Sequence, residues 1–297
     1  SRDDRVLKHT FDVTTQPKRV VVIGAAGFVG GASAARLRRY GAKVLDLGRA
    51  DVDLSADDGA ARLAEKLQAG DAVVAVAARA PCKNVDMLID NMKMVRSMLD
   101  AMKDVEISHL VNISSDAVYG DEPVPLTEGA PTAPGSLHGA MHLAREIAFA
   151  SSGIAPLAVL RPTLVYGDAD PHNGYGPNRF VRQARAGEAI PLFGEGEERR
   201  DHVSVDDVAE IVARVVLHRS IGALNVASGE VHSFADAANL AIAATGSKSR
   251  LVPSPRTGPM PHNGYRPFDI AALKSAFPDL VPVRLPAGIQ AMAGTAK

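Results

Sequence analysis

Residues Pro134 to Glu146 read PGSLHGAMHLARE, and two histidines, His138 and His142, stand four residues apart within them. In a helix that spacing puts both rings on one face. Imidazole titrates near pH 6.5, about neutral, so such a pair can accept, donate or relay a proton without help from a neighbouring charge. The same spacing suits zinc, but no Glu follows His138 and no third ligand is evident, so no metal is expected. A second stretch with chemical meaning is Gly24-Ala-Ala-Gly27-Phe28-Val29-Gly30, directly after the apolar run RVVVI. Gly24 permits a tight turn, Gly27 lets the backbone approach a pyrophosphate, and Gly30 lets a following helix pack closely on the strand. The N-terminus of that helix then offers N–H groups and the positive end of a dipole to phosphate.

The elements that must position these groups follow from periodicity. Short apolar β-branched runs at Arg19–Ile23, Lys43–Leu47, Asp71–Ala77, His109–Ile113 and Leu157–Leu160 predict strands buried on both faces. Between them, Gly31–Tyr40, Ala56–Gln68, Val85–Met102 and Pro134–Ser151 predict helices. Strand–helix alternation predicts an α/β fold with a Rossmann-type doubly wound parallel sheet. The methionines of the third helix (Met87, Met92, Met94, Met98, Met102) are expected in a core or a dimer face. After Tyr166 the pattern changes. Asp168–Asn178 is dense in Gly, Pro and Asn and reads as a loop. Leu224–Ala227 reads as a strand returning to the sheet, and the stretch from Pro253 to Pro267 is proline-rich. The expected organisation is an extension over 1–16, a dinucleotide-binding domain over 17–166 plus about 203–228, and a smaller C-terminal substrate domain over 167–202 plus 229–297.

The end of the second strand selects the cofactor. An acidic residue there accepts the ribose 2′-OH of NAD, whereas an Arg accommodates the 2′-phosphate of NADP. In LDLGRADVDLS the acceptor position falls on Gly48, followed by Arg49, with Asp46 inside the strand. NADP is favoured, NAD stays open, and Asp53 and Leu54 are expected beside the adenine. The alternative for Arg49 is a solvated loop cation.

Composition bounds the rest. The 297 residues carry 33 basic and 34 acidic side chains, a net charge of −1, which argues against a nucleic-acid or anionic-membrane binder. No apolar run approaches the roughly 20 residues of a membrane span. The charged N-terminus lacks the apolar core of a leader, and the single cysteine, Cys82, excludes an internal disulfide. A cytoplasmic protein is expected, with Cys82 in a packing role.

Taken together, GAAGFVG, VNISSDAVYG (Val111–Gly120), PLTEGAPTAPGSLHGAMHLARE, LRPTLVYG (Leu160–Gly167), GEGEERRDHVSVDDVA (Gly194–Ala209) and NVASGE (Asn225–Glu230) resemble the extended short-chain dehydrogenases/reductases, the epimerase/dehydratase group acting on nucleotide sugars. The resemblance covers nearly all of residues 18 to 280. It implies a nucleoside-diphosphate sugar as ligand, a homodimer formed through Val85–Met102 and His138–Ala150, and Ala77, Ala78 and Pro162 beside the cofactor. It places Ser115 on the reacting sugar hydroxyl, with Asp116 next to it where dehydratases carry an acidic run. Their Glu is here Ala117, which argues against a full dehydratase. Arg200 and Arg266 would contact the diphosphate, and Asn178 and Phe193 the substrate. The compact segment LGRADVDLSADDGAARLAEKL is similar to nucleotide-sugar reductases.

The departure is at the centre. Where the group carries a Tyr and, four residues on, a Lys, this chain carries His138 and His142. Two readings stand. His138 replaces the Tyr as proton carrier and His142 holds the nicotinamide ribose, giving an NAD(P)-dependent epimerase or keto-reductase. Alternatively the protein binds cofactor and nucleotide sugar without redox turnover, as a sensor or scaffold.

Overall fold

A computed structural model describes residues 5–294. In chain order the first elements are β1 (Arg19–Ile23), α1 (Phe28–Arg39), β2 (Val44–Leu47), α2 (Gly59–Ala64), β3 (Asp71–Ala75), α3 (Val85–Met102), β4 (His109–Ile113), α4 (Leu137–Ser152) and β5 (Leu157–Pro162). Then follow β6 (Leu164–Tyr166), α5 (Pro177–Arg185), β7 (Ile190–Phe193), β8 (Arg199–Ser204), α6 (Val205–Leu217), β9 (Gly222–Val226), β10 (Val231–Ser233) and α7 (Phe234–Thr245). The chain closes with β11 (Leu251–Ser254), β12 (Tyr265–Arg266), α8 (Ala271–Ala276) and α9 (Leu285–Gly294). The chain divides into two units. The first runs through residue 120 and adds 128–162 and 208–226, and the second holds 121–127, 163–207 and the residues from 227 on.

The first unit is built on a six-stranded sheet in the order β2-β1-β3-β4-β5-β9. Every neighbouring pair is parallel. β1, β3 and β4 are mostly apolar because both faces are covered: Val20, Val21, Val22, Val73, Val74 and Val111 have no exposed surface. From β1 the chain winds outward to β2, then returns to lay β3 on the other side. That reversal creates a switch point at the carboxyl ends of β1 and β3, where open α/β sheets bind ligands. Met98 and Met102 pack in the same core, as the methionine stripe predicts. The stretch at Val6–Lys8 runs beside β9, with Leu7 N–H on the Ala223 carbonyl at 2.9 Å and Lys8 N–H on that of Ile221 at 2.8 Å, and the N–H groups of Thr10, Phe11 and Thr15 go to the carbonyls of His218 and Leu217 at the end of α6.

Some boundaries differ from expectation. α1 begins at Phe28 and not Gly31, because Gly27 is an extended N-cap and the helix accommodates Gly30 and Gly31. β3 stops at Ala75 because the N–H groups of Val76 and Ala77 both turn to the Ile23 carbonyl. α2 begins only at Gly59, which packs so tightly on residues 53 and 54 that a Cβ there would lie 2.6 Å from the Asp53 carbonyl oxygen.

The second unit has its own small sheet in the order β10-β8-β12, with β6 also pairing β8, and a separate β11-β7 pair. Its core gathers Tyr166, Phe180, Leu192, Phe234 and Ile289. Among the described residues no helix is long and apolar enough to cross a membrane.

Candidate active site

The turn after β1 presents backbone to the crevice. Gly24 has φ +98°, and a Cβ there would lie 2.6 Å from the Ala77 nitrogen. A Cβ on Gly30 would lie 2.1 Å from the Gly24 carbonyl oxygen, so α1 closes on the turn only because both residues lack side chains. Gly27, the N-cap, contributes no capping side chain to α1. A glycine cradle at a helix N-terminus and a sheet switch point fits the pyrophosphate of a dinucleotide. Phe28 and Val29 open the helix, and Ala77 and Ala78 follow β3 on the other side of the switch point. Pro162 closes β5.

At the end of β2, Asp46 lies in the strand and pairs with Arg38 at 2.8 Å. Arg49 projects with 78% of its side chain exposed and meets Asp53 at 3.1 Å. Hydrogen bonds from Ser55, and then the Arg49 guanidinium, hold the Asp53 carboxyl below its ordinary value. Leu54 is buried beside it. Sequence reasoning missed Asp51, whose carboxylate accepts the Gly48 N–H at 2.8 Å and places an acid at the strand end.

His138 and His142 stand on α4, capped by Ser136, whose Oγ accepts the Gly139 N–H at 3.1 Å. A Cβ on Gly139 would lie 2.0 Å from the Ala117 carbonyl oxygen, so glycine lets α4 press against the turn Asp116–Val118. That contact brings His138 into the field of Asp116. The two imidazoles meet edge to face, centroids 4.7 Å apart. His138 Nδ1 accepts the backbone N–H of Cys82 at 3.3 Å, which puts the neutral ring's proton on Nε2. Burial lowers the His138 pKa, opposed by Asp116. His142 is more deeply buried; desolvation, then His138 and Arg145, push it well below the imidazole range. Its Nδ1 is buried without a hydrogen-bond partner among the described residues.

Ser115 Oγ accepts the Ala117 N–H at 3.2 Å and lies 3.4 Å from Asp116 Oδ1, to which it donates. Behind them a buried network fixes α4. Glu146 receives Ser114 Oγ at 2.5 Å and pairs with Arg161 at 2.7 Å, and Arg161 donates to the Tyr119 hydroxyl at 2.8 Å. Burial pushes the Tyr119 pKa up to about 12, so this phenol stays protonated. Arg145, three residues past His142, was also missed. Its signal was a cation three residues past His142, on the same helix face.

In the second unit Arg200 and Arg266 occupy paired positions on adjacent parallel strands, β8 and β12. Arg200 meets Glu198 at 3.2 Å, and the buried Arg266 meets Asp121 at 3.0 Å. His262 donates to the same Asp121 oxygen at 2.6 Å and, with the two arginines, holds that carboxyl below its usual range. Phe193, 51% exposed, packs on Tyr175 at 4.5 Å. Asn178 is committed to the loop before it: its Oδ1 accepts the Gly167 N–H at 2.9 Å and its Nδ2 donates to Asp170 at 2.6 Å. The sequence-predicted residues thus fall into two groups. Ser115, Asp116, His138, His142 and the cofactor positions lie in the first unit, and Asn178, Phe193, Arg200 and Arg266 lie in the second.

The model of the NAD dependent epimerase/dehydratase family matches residues 20–227. The dTDP-L-rhamnose 4-epimerase of Burkholderia thailandensis is 33% identical over 129 residues, 41% of this chain and 35% of that protein. The chain therefore spans about a third of that relative's length. The UDP-glucose 4-epimerase of Corynebacterium glutamicum is 26% identical over 275 residues, 80% of this chain and 84% of that protein. Among solved structures, the UDP-glucose 4-epimerase of Thermus thermophilus in complex with NAD aligns with a TM-score of 0.82 and 25% identity, covering 94% of this chain and all of that one.

Proposed function

Because the chain belongs to the NAD-dependent epimerase/dehydratase family, we propose that it is an epimerase or keto-reductase of nucleoside-diphosphate sugars, with His138 as its proton carrier. One observation carries this reading: His138, beside His142 and in the field of Asp116, is held by Gly139 against the turn that bears Ser115. A bound NAD or NADP supplies hydride chemistry. The Gly24–Gly30 turn and the start of α1 hold its pyrophosphate. His142, kept neutral by burial, offers its unpartnered Nδ1 to a ribose hydroxyl. Ser115 polarises the sugar oxygen, Asp116 orients it, and His138 gives or takes the proton. The similarity to sugar-nucleotide epimerases named above supports the substrate class.

The tautomer sets the direction of each step. With Nδ1 accepting from Cys82, the neutral His138 carries its proton on Nε2, so both donation to a keto oxygen as imidazolium and acceptance of a proton at Nε2 require Nδ1 to take up a proton and release the Cys82 N–H. In the second unit, Asp121 occupies the charge position among Arg200, Arg266 and His262 that a diphosphate would contest. Asn178 and Phe193 are proposed to line the substrate. The test is turnover of nucleotide sugars by wild type and His138→Ala.

NADP(H) is the proposed dinucleotide. Arg49 would exchange Asp53 for the 2′-phosphate, and an exposed ion pair of this kind is worth only about 0–1 kcal/mol. Arg49→Ala is expected to weaken NADP(H) by about tenfold, the effect of losing one charge-assisted contact, while sparing NAD(H). Unchanged NADP(H) affinity by calorimetry would remove Arg49 from this role.

The protein is further proposed to act as a homodimer through α3 and α4. Val85, Ile89 and Ile147 expose 60, 48 and 56% of their surfaces on these helices. Sedimentation velocity at micromolar concentration is expected to give a dimer, and a monomer would contradict it.

A second reading keeps the ligands without hydride transfer. It is favoured by the same burial that keeps both imidazoles neutral and by the Cys82 bond that occupies Nδ1.

A further inference from the structure

Arg145 is 1% exposed, and its guanidinium is spent on uncharged acceptors. Nε donates to Asn112 Oδ1 at 2.7 Å, Nη1 to the Ala77 carbonyl at 2.6 Å and Nη2 to the Ala75 carbonyl at 2.6 Å. Among the described residues no carboxylate pairs with it, since the adjacent Glu146 is engaged by Arg161 and Ser114. Burial pulls its pKa down to about 10, which leaves it charged at neutral pH. Burying a cation without a counter-ion is costly, and a neutral amide donor could engage such acceptors for anchoring at lower cost. The location supplies a reason for the charge. Ala75 and Ala77 end β3 at the switch point, and the Ala77 backbone is the surface on which Gly24 packs. On the other side the charge reaches the His142 ring. A fixed cation therefore lies between the imidazole pair and the strand end that forms one wall of the dinucleotide crevice.

We infer that Arg145 is a positioning residue that sets the redox preference of the cofactor site, its fixed charge disfavouring the cationic oxidised nicotinamide and leaving the uncharged reduced ring as the tighter ligand. The inference rests on the dinucleotide reading above and deepens it. By linkage, a site that holds the reduced form more tightly makes the bound oxidised form a stronger hydride acceptor. That is the property an epimerase needs, because it oxidises the sugar transiently and keeps the reduced form until the hydride returns. The charge thus favours epimerisation over one-way reduction.

The test is calorimetric titration of wild type, Arg145→Lys and Arg145→Met with the oxidised and reduced forms of NAD and NADP, and with ADP-ribose, which lacks nicotinamide. Wild type is expected to bind the reduced form on the order of tenfold more tightly than the oxidised one, the size of a unit-charge effect through partly buried protein. Arg145→Lys keeps most of that ratio, Arg145→Met brings it near one, and ADP-ribose binds all three alike. A wild-type ratio of one with ADP-ribose still bound overturns the role of Arg145 and leaves dinucleotide binding intact. So does a folded Arg145→Met variant that keeps the ratio. If Arg145→Met does not fold by circular dichroism, the other two proteins decide, because loss of the ratio in Arg145→Lys also contradicts a charge effect. Failure of wild type to bind ADP-ribose overturns both readings.

Discussion

Gly30→Ala is expected to lower dinucleotide affinity by about a hundredfold, close to 2.7 kcal/mol of binding. The cause is steric. A methyl group at this position would lie 2.1 Å from the Gly24 carbonyl oxygen and 2.7 Å from its carbon, both rigid backbone atoms. The clash is relieved only if α1 lifts away from the turn. Lifting separates the helix N-terminus from the loop that it completes, and the phosphate cradle needs both. Overpacking of this kind also costs about 1–3 kcal/mol of stability. Gly135→Ala serves as control, since a Cβ there would have no atom within 4 Å. Calorimetry with the reduced dinucleotide, alongside urea denaturation, reads both effects. Undiminished affinity in a folded Gly30→Ala protein would mean that the turn is not the pyrophosphate site.

The same geometry explains why this end of the molecule was legible in the sequence. Runs such as RVVVI and DAVVA are apolar after their first residue because a parallel sheet covers both faces, and the glycines mark where backbone must meet backbone. α4 was legible too, through the strong motif around it. Boundaries slipped where tertiary contacts overrode local preference. Gly30 and Gly31 discourage a helix on their own, yet α1 includes them because packing against the Gly24 turn requires residues without Cβ. The second unit was less readable. β10 and β12 are two or three residues long and owe their extension to pairing with β8, which lies far from both in sequence. No periodicity can register so few residues.

In the candidate site, residue types were readable but their partners were not. His138 and His142 stood out by spacing. Nothing in the sequence placed the Cys82 N–H on His138, because the loop at Cys82 and the start of α4 are 56 residues apart. Asp51 was hidden for a different reason. It lies past the expected acceptor position and reaches back to Gly48 through a turn. The commitment of Asn178 to Gly167 and Asp170 was likewise invisible, since the loop that it holds has no pattern of its own.

The second large effect is on the proton step. General acid–base catalysis contributes roughly a factor of 10² to 10⁴, so His138→Ala should lose about that much turnover while cofactor affinity stays near wild type. The pH dependence follows from the sign of the shift. Burial lowers the His138 pKa, so the imidazolium form is present only below a midpoint under the ordinary value of about 6.5. Reduction of a keto-sugar needs that form as acid, so kcat/KM should fall as pH rises through the midpoint. Oxidation of the sugar needs the neutral ring as base and should rise through it. A tyrosine-driven site would instead place its limb towards pH 10, about the phenol value.

The most direct measurement of the central claim is single-turnover hydride transfer, followed by nicotinamide absorbance, with a panel of nucleoside-diphosphate sugars on wild type and His138→Ala. The account predicts absorbance change with at least one sugar in wild type, slowed at least about a hundredfold in the variant. Equal rates in the two proteins, or no transfer by wild type with a sugar shown to be bound, would contradict it.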